Sequence, residues 1–394
     1  LPLWANSKPT MPVNPENPIQ AAEIVLPCAE LNPTLEFFTE RLGFRVNTIF
    51  PADAPAVAVI SGYGVRLRLE RGGSGTPGIL RLLCKNPAEF ADGASELTAP
   101  NGARIELVAA NPPLVLPPEQ QSFVCNRISD DSQWQVGRAG MQYRDLIPDR
   151  QGGRFIASHI RIPNGGPVPD YTHFHKIRFQ MIYCYKGWVR LVYEDQGSPF
   201  VMQAGDCVLQ PPQIRHRVLE SSPGLEVIEI GCPAEHETWA DPELDLPTPE
   251  VQSQRDFGGQ RFVLHQVAQA EWHPWRIEGF EFRDTGIGAA TNGLAGVQVV
   301  RPVENTPPQI CSHSGEFCFL FTLSGGITLT VAGRGAHRLE AGASCVIPAQ
   351  SRHALTGGTD DLELLEVTLP AVLATQHHVV PMAVLQNSDD QLGQ

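Results

Sequence analysis

The 394-residue chain has no apolar run near the roughly 18 uninterrupted residues that a membrane-spanning helix needs, which argues against a helical membrane protein. Positive charge is scarce. There are 29 lysines and arginines against 43 aspartates and glutamates, a net charge of −14, and no basic cluster interleaved with aromatics offsets it locally. A phosphate backbone would be repelled, so nucleic acid is not an expected partner. The nine cysteines show neither the spacing of a disulfide framework nor a CxxC pair, and read as reduced thiols acting as small hydrophobes. Leu1 to Gln20 is polar and proline-rich, without the apolar core of a secretion signal, so a soluble, cytoplasmic protein is expected.

Glycine and proline are abundant, at 36 and 35 residues, which means many turns and short elements and favours β architecture. At roughly 100–200 residues per domain the length suggests two to four domains. The sequence divides into an arm (1–19), an α+β domain (20–110), a proline-rich linker (111–139), a strand-rich segment (140–232), a second linker (233–257), a second strand-rich segment (258–370) and a tail (371–394).

In the α+β domain, Glu23-Ile24-Val25-Leu26-Pro27-Cys28 reads as a strand, and a helix follows from about Asn32 to Gly43 with Leu35, Phe37, Phe38 and Leu42 at near-helical spacing. Strands are expected at 56–60 and 65–70. A second cycle runs from a strand at 79–84 through a helix at 87–97 to a strand at 103–108. Leu35 to Phe44, with the turn Ala99-Pro100-Asn101-Gly102 and the strand after it, resembles the glyoxalase/bleomycin-resistance (vicinal oxygen chelate) family. That family commonly binds a divalent metal through an early His and a late Glu. Here Glu23 and Glu106 hold the matching places, and residues 20–110 contain no histidine. Two carboxylates without an imidazole suit a hard cation at best, so a scaffold or dimerisation module is expected.

The most informative feature is a duplication. His173-Phe174-His175, then Gly205, then Pro211-Pro212-Gln213-Ile214-Arg215-His216 is repeated about 137 residues later as Cys311-Ser312-His313, Gly342 and Pro348-Ala349-Gln350-Ser351-Arg352-His353. Alternate residues of a strand share a face, so His173 and His175 project together as two metal ligands. A rolled antiparallel sheet can bring Gln180 and His216 to the same point. The first copy resembles the cupin family: Gly166, His173, His175, Gln180 and Gly187 match its first motif, and Gly205, Pro211 and His216 its second. It departs from the family at Gln180, usually Glu, and at Gln213, often Gly.

The resemblance implies a mainly β protein, with two double-stranded β-helix (jelly-roll) barrels preceded by the vicinal-oxygen-chelate-like domain. It implies a metal held by His173, His175, His216 and Gln180, with Gln180 either a ligand or just outside the coordination sphere. Three neutral imidazoles and an amide leave the whole 2+ charge for an anionic, chelating small-molecule substrate. Fe2+ is the favoured metal, with Mn2+, Ni2+, Co2+ and Zn2+ as alternatives. Arg178 and Tyr183 are candidate substrate contacts. In the second copy Cys311, His313, Cys318 and His353 form either a zinc-type set, with Glu316 as a nearby alternative carboxylate, or a degenerate barrel kept for packing. An Fe2+ dioxygenase is the leading expectation. The alternatives are an Mn2+ or Zn2+ isomerase or lyase and a noncatalytic ligand-binding bicupin, any of them compatible with a homo-oligomer.

Overall fold

The computed structural model describes residues 22–51, 55–128, 134–304, 306–379 and 385, so the arm 1–19 and the terminal Asn387-Ser388-Asp389-Asp390 lie outside the described residues. The chain divides into two compact units, Leu1–Pro113 and Leu114–Gln394. Among the described residues no helix is long and apolar enough to cross a membrane.

In the first unit the strand Ile24–Cys28 leads to a helix, Leu31–Glu36, that widens into a π-helical turn, Phe37–Arg41. Leu31, Phe38 and Leu42 bury the apolar side of this helix against the sheet. The sheet runs Ile24–Cys28, Val65–Arg71, Val57–Gly62, Arg45–Phe50. Arg45–Phe50 left no trace in the sequence pattern, because all six of its residues are exposed and no burial enforces alternation. The second cycle is abbreviated to a three-stranded sheet, and its helix covers only Pro87–Phe90. The turn after it takes Asp92 and Gly93 to positive φ, which ends the helix short of Leu97. The two carboxylates considered for a hard metal are both paired: Glu23 with Arg66 at 2.7 Å, and Glu106 with Arg104 at 2.6 Å and Arg81 at 3.0 Å. Hydrogen bonds from Arg104 and then Arg81 hold the Glu106 carboxyl below the usual carboxylate range. With these charges already matched, no metal is assigned to the first unit.

The second unit is mainly β and contains two barrels, each made of two facing sheets. In the first barrel one sheet runs Cys207–Leu209, Phe179–Lys186, Leu225–Cys232, Ile156–Ile162, Gln142–Asp145. The other runs Phe200–Gln203, Trp188–Tyr193, His216–Ser221, His173–His175, Thr238–Ala240. The second barrel repeats this order strand for strand, ending in Thr375–His378, so the tail begins as a strand paired with Ile310–His313. The barrels also exchange edges. Val124–Asn126, inside the stretch read as a linker, extends a sheet of the second barrel beside Ser344–Val346, and Val263–His265 extends a sheet of the first beside Cys207–Leu209.

Strand alternation decides what each barrel side chain can do. Along Phe179–Lys186, Phe179, Met181 and Tyr183 face the other barrel and join a shared core, while Ile182 and Cys184 belong to the first barrel's own interior. Phe155 stacks on Phe317 at 4.0 Å across that shared core. Two buried arginines pin the barrels reciprocally: Arg144 donates to the Gly342 carbonyl at 3.0 Å, and Arg283 to the Gly205 carbonyl at 3.2 Å.

Candidate metal centre

His173 pairs directly with His216 across neighbouring strands, and His175 lies two residues along the first of them. On the opposite face of that strand Phe174 stacks with Trp239 and lies under the Arg215 guanidinium, which fixes the strand's orientation. The turn leading to His216 places Gln213 at φ 63°, with its N–H donating to the His175 carbonyl at 3.0 Å. The left-handed geometry expected of glycine is therefore kept by a glutamine, at a cost of roughly 1–2 kcal/mol. Gln350 repeats it in the second barrel, at φ 64°.

The three imidazoles offer ligand nitrogens that all lie within 4.8 Å of one another, the one such grouping among the described residues. His173 and His216 are buried and His175 is half-buried. His173 Nδ1 lies 2.8 Å from the Tyr171 carbonyl, and His216 Nδ1 lies 3.0 Å from the Ile214 carbonyl. A carbonyl only accepts, so each Nδ1 carries the proton and each Nε2 the lone pair. Thr238 Oγ1 lies 3.0 Å from His175 Nδ1 and holds that ring in place as well. Three imidazoles held in this way fit a divalent transition metal, since second partners of this kind orient the rings that metal ligation needs.

Gln180 is almost fully buried in the same cavity wall, and its Nε2 donates to Glu229 Oε1 at 2.5 Å. The amide is thereby oriented, with its carbonyl oxygen as the remaining ligand atom. Glu229 was not singled out from the sequence, yet a signal was available. Gln180 pairs with Gly231 and Cys318 with Thr368, so Glu229 and Glu366 occupy the same place in the two copies. His236, also missed, lies with its ring 5.2 Å from that of His175, and its Nδ1 is held 3.0 Å from the Pro233 carbonyl. Tyr193 stacks on His216 from inside the core.

Changing Gln180→Glu would set a second carboxylate against Glu229. A charge at about 4 Å is worth about 4 kcal/mol at an effective dielectric of about 20, and repulsion from Glu229 takes back much of that. Roughly tenfold tighter divalent-metal binding, with weaker binding of anionic ligands, is expected by calorimetry at one pH. No change in either affinity would place Gln180 outside the coordination sphere.

Arg178 and Tyr183 are not brought to this cavity. Arg178 donates to Glu316 at 2.8 Å, and Arg154 joins the same carboxylate at 2.6 Å. Tyr183 lies in the core between the barrels, where its hydroxyl accepts from Arg283 at 2.9 Å, and burial pushes its pKa up. Tyr183 falls on the outward face that alternation assigns to barrel packing, and Arg178 precedes the strand, which begins at Phe179.

The second copy is built differently. His313 has both ring nitrogens engaged by backbone: Nε2 donates to the Ile347 carbonyl at 3.0 Å and Nδ1 accepts from the Gly315 N–H at 3.1 Å. Cys311 Sγ lies 3.3 Å from His353 Nε2, and burial pushes the Cys311 thiol up to about 11 and the Cys318 thiol higher still. In place of a metal cation this barrel holds Arg276, whose Nη1 donates to the fully buried Glu366 at 2.6 Å while Gln298 donates to the same carboxylate. The geometry supports the packing alternative over the zinc-type set of Cys311, His313, Cys318 and His353.

Burial lowers the His353 pKa to about 4. The unfolded chain takes up that proton near pH 6.5, so its contribution is fully present above pH 6.5 and is lost as pH falls towards 4, about 3 kcal/mol in all. Denaturant titrations between pH 7 and 4 should show that slope, and His353→Phe should flatten it. An unchanged slope would assign the acid sensitivity elsewhere.

Residues 296–368, within the second barrel, match the family model described as a cupin domain. The first barrel repeats the strand order of that matched barrel. Similar solved structures include oxalate decarboxylase from Bacillus subtilis, at 12% identity and a TM-score of 0.49, covering 65% of this chain and 78% of that one. Another is the formate complex of Lactobacillus farciminis oxalate decarboxylase, at 13% identity and a TM-score of 0.46, covering 66% and 91%. A third, from work on the Mn(II) centres of the Bacillus subtilis enzyme, has 14% identity and a TM-score of 0.48, covering 66% and 81%. These are likenesses of fold. No curated protein matches the chain in sequence.

Proposed function

We propose that the first barrel carries a metal-dependent enzyme site that performs redox-neutral proton-transfer chemistry, of the lyase or isomerase type, on a chelating anionic substrate. The observation that carries this reading is Glu229 in the wall of the cavity that also contains His173, His175 and His216. His173, His175 and His216 would hold the ion through Nε2, with Gln180 through its carbonyl oxygen. A bound divalent ion supplies Lewis acidity, polarising the substrate oxygens it holds. Glu229 is then the carboxylate beside the polarised group, able to accept a proton from substrate and return it. His236, fixed through Nδ1, and Thr238 line the same wall and orient what binds there. Mn2+ and Zn2+ both suit this chemistry.

The second reading is the Fe2+ dioxygenase expected from the sequence, favoured by the neutral three-imidazole set. Anaerobic turnover separates the two. With metal-loaded protein and a panel of oxo, hydroxy and dicarboxylic acids, product formation without oxygen is expected. Glu229→Gln should lower that rate about 10²–10⁴-fold with metal content unchanged. Substrate loss only when oxygen is present would support the dioxygenase and remove the role given to Glu229.

A further inference from the structure

We infer that the first barrel accepts a chelating acid with an apolar body and a hydroxyl beyond the chelate, and that Gln210 reads that hydroxyl. The inference rests on the metal site proposed above and concerns what else the same cavity holds. The cavity has a volume of about 760 Å³, and all its lining residues lie within 126–238. Sites in the range of about 300–1,000 Å³ enclose drug-sized molecules, so the smallest diacids would leave most of this one open. Away from the histidines one stretch of its wall is branched aliphatic (Ile160, Ile182, Val189, Leu191, Val218 and Val227), while Arg127, Arg144 and Arg150 line another part. The aliphatic stretch rewards an apolar body.

The duplicate barrel shows what the filled version looks like. There Trp275 and Ile277 pack into the cluster of Val300, Leu320, Leu329 and Leu364. By strand register Val300 and Leu364 stand where Ile160 and Val227 stand in the first barrel. The second barrel has used its interior for its own side chains, and the first has left room.

Gln210 supplies the polar reading. Its Nε2 donates to the Tyr193 hydroxyl at 2.9 Å, while its Oε1 is buried with no hydrogen-bond partner. The residue is 2% exposed and belongs to the cavity wall with the histidines. A buried amide oxygen left unpaired costs about 1–3 kcal/mol, so a substrate that brings an O–H to it recovers that cost. In the second barrel the same position is Ile347, as expected of a side chain whose polarity serves a ligand.

The test is calorimetry on the metal-loaded full chain, using oxalate, pyruvate, phenylpyruvate and the ortho, meta and para ring-hydroxylated phenylpyruvates. Phenylpyruvate should bind at least about tenfold tighter than pyruvate or oxalate, and one hydroxylated isomer about tenfold tighter again. Gln210→Leu should erase the second gain and keep the first. Ile182→Phe, which narrows the cavity without touching Gln210, should weaken phenylpyruvate and leave pyruvate unchanged. Equal affinity for pyruvate and phenylpyruvate would overturn the apolar body. A hydroxyl gain that is absent, or that survives Gln210→Leu, would overturn the role of Gln210. If no acid of any size binds in a metal-dependent way, the failure lies with the metal site itself.

Discussion

Replacing Arg276 with methionine is expected to destabilise the second unit by about 3–5 kcal/mol, the usual cost of removing one partner from a buried ion pair. The reason lies on the other side of the pair. Glu366 is fully buried, and Arg276 is its cationic partner, with Gln298 as a neutral donor to the same carboxylate. Arg276 also stacks over Trp275 at 4.1 Å, so the variant loses packing as well as charge. Burial works against the guanidinium charge, but Glu366 outweighs it and holds Arg276 firmly protonated. Urea denaturation should report the loss, and the double change Arg276→Met with Glu366→Met should restore most of it, because removing both charges removes the desolvation cost together with the attraction. If the single change costs less than about 1 kcal/mol, the pair is not what centres the second barrel.

The comparison of the two barrels explains what the sequence could and could not reveal. His173, His175 and His216 were legible because they sit at fixed distances from a glycine turn and a proline, and alternation alone puts the first two on one face. The copy at 311–353 was legible as a copy, but its chemistry was not. Whether Cys311 and His353 hold a metal depends on where the His313 ring points and on Arg276, which lies 90 residues from Glu366 in the chain. No local pattern announces such a partner. The three-residue strands exchanged between the barrels, Val124–Asn126 and Val263–His265, are likewise too short to carry periodicity. Arg178 and Tyr183 were misplaced for a simpler reason. Proximity in sequence to Gln180 says nothing about face until the strand's first residue is known, and that residue is Phe179.

The paired barrels also show two solutions to one electrostatic problem. Glu229 and Glu366 occupy equivalent strand positions, each presenting a carboxylate to its barrel's interior donors. In the second barrel the Arg276 side chain neutralises it. In the first, Gln180 satisfies one oxygen by hydrogen bonding, and under the proposed function the cationic partner would be the ion held by the three histidines. The carboxylate, missed in the sequence, therefore strengthens the case for a cation there.

The double change His173→Ala, His175→Ala is accordingly expected to abolish metal binding, taking stoichiometry from about one ion per chain to near zero by elemental analysis. Two of three oriented imidazoles would be gone, and His216 with the Gln180 carbonyl cannot hold the ion alone. The barrel should remain folded, because its stability comes from sheet packing of residues such as Ile160, Leu191 and Val227, none of which the change touches. Thermal denaturation supplies a second readout. Added metal at a thousand times its dissociation constant stabilises the folded protein by about 4 kcal/mol, and that metal-dependent shift should vanish in the variant. His313→Ala is the matched control: both of its ring nitrogens are bonded to backbone, so losing the ring should cost stability and leave metal content unchanged. Should His313→Ala empty the protein of metal while the first-barrel variant keeps it, the metal-bearing barrel is the second one, and the chemistry assigned to Glu229 moves with it.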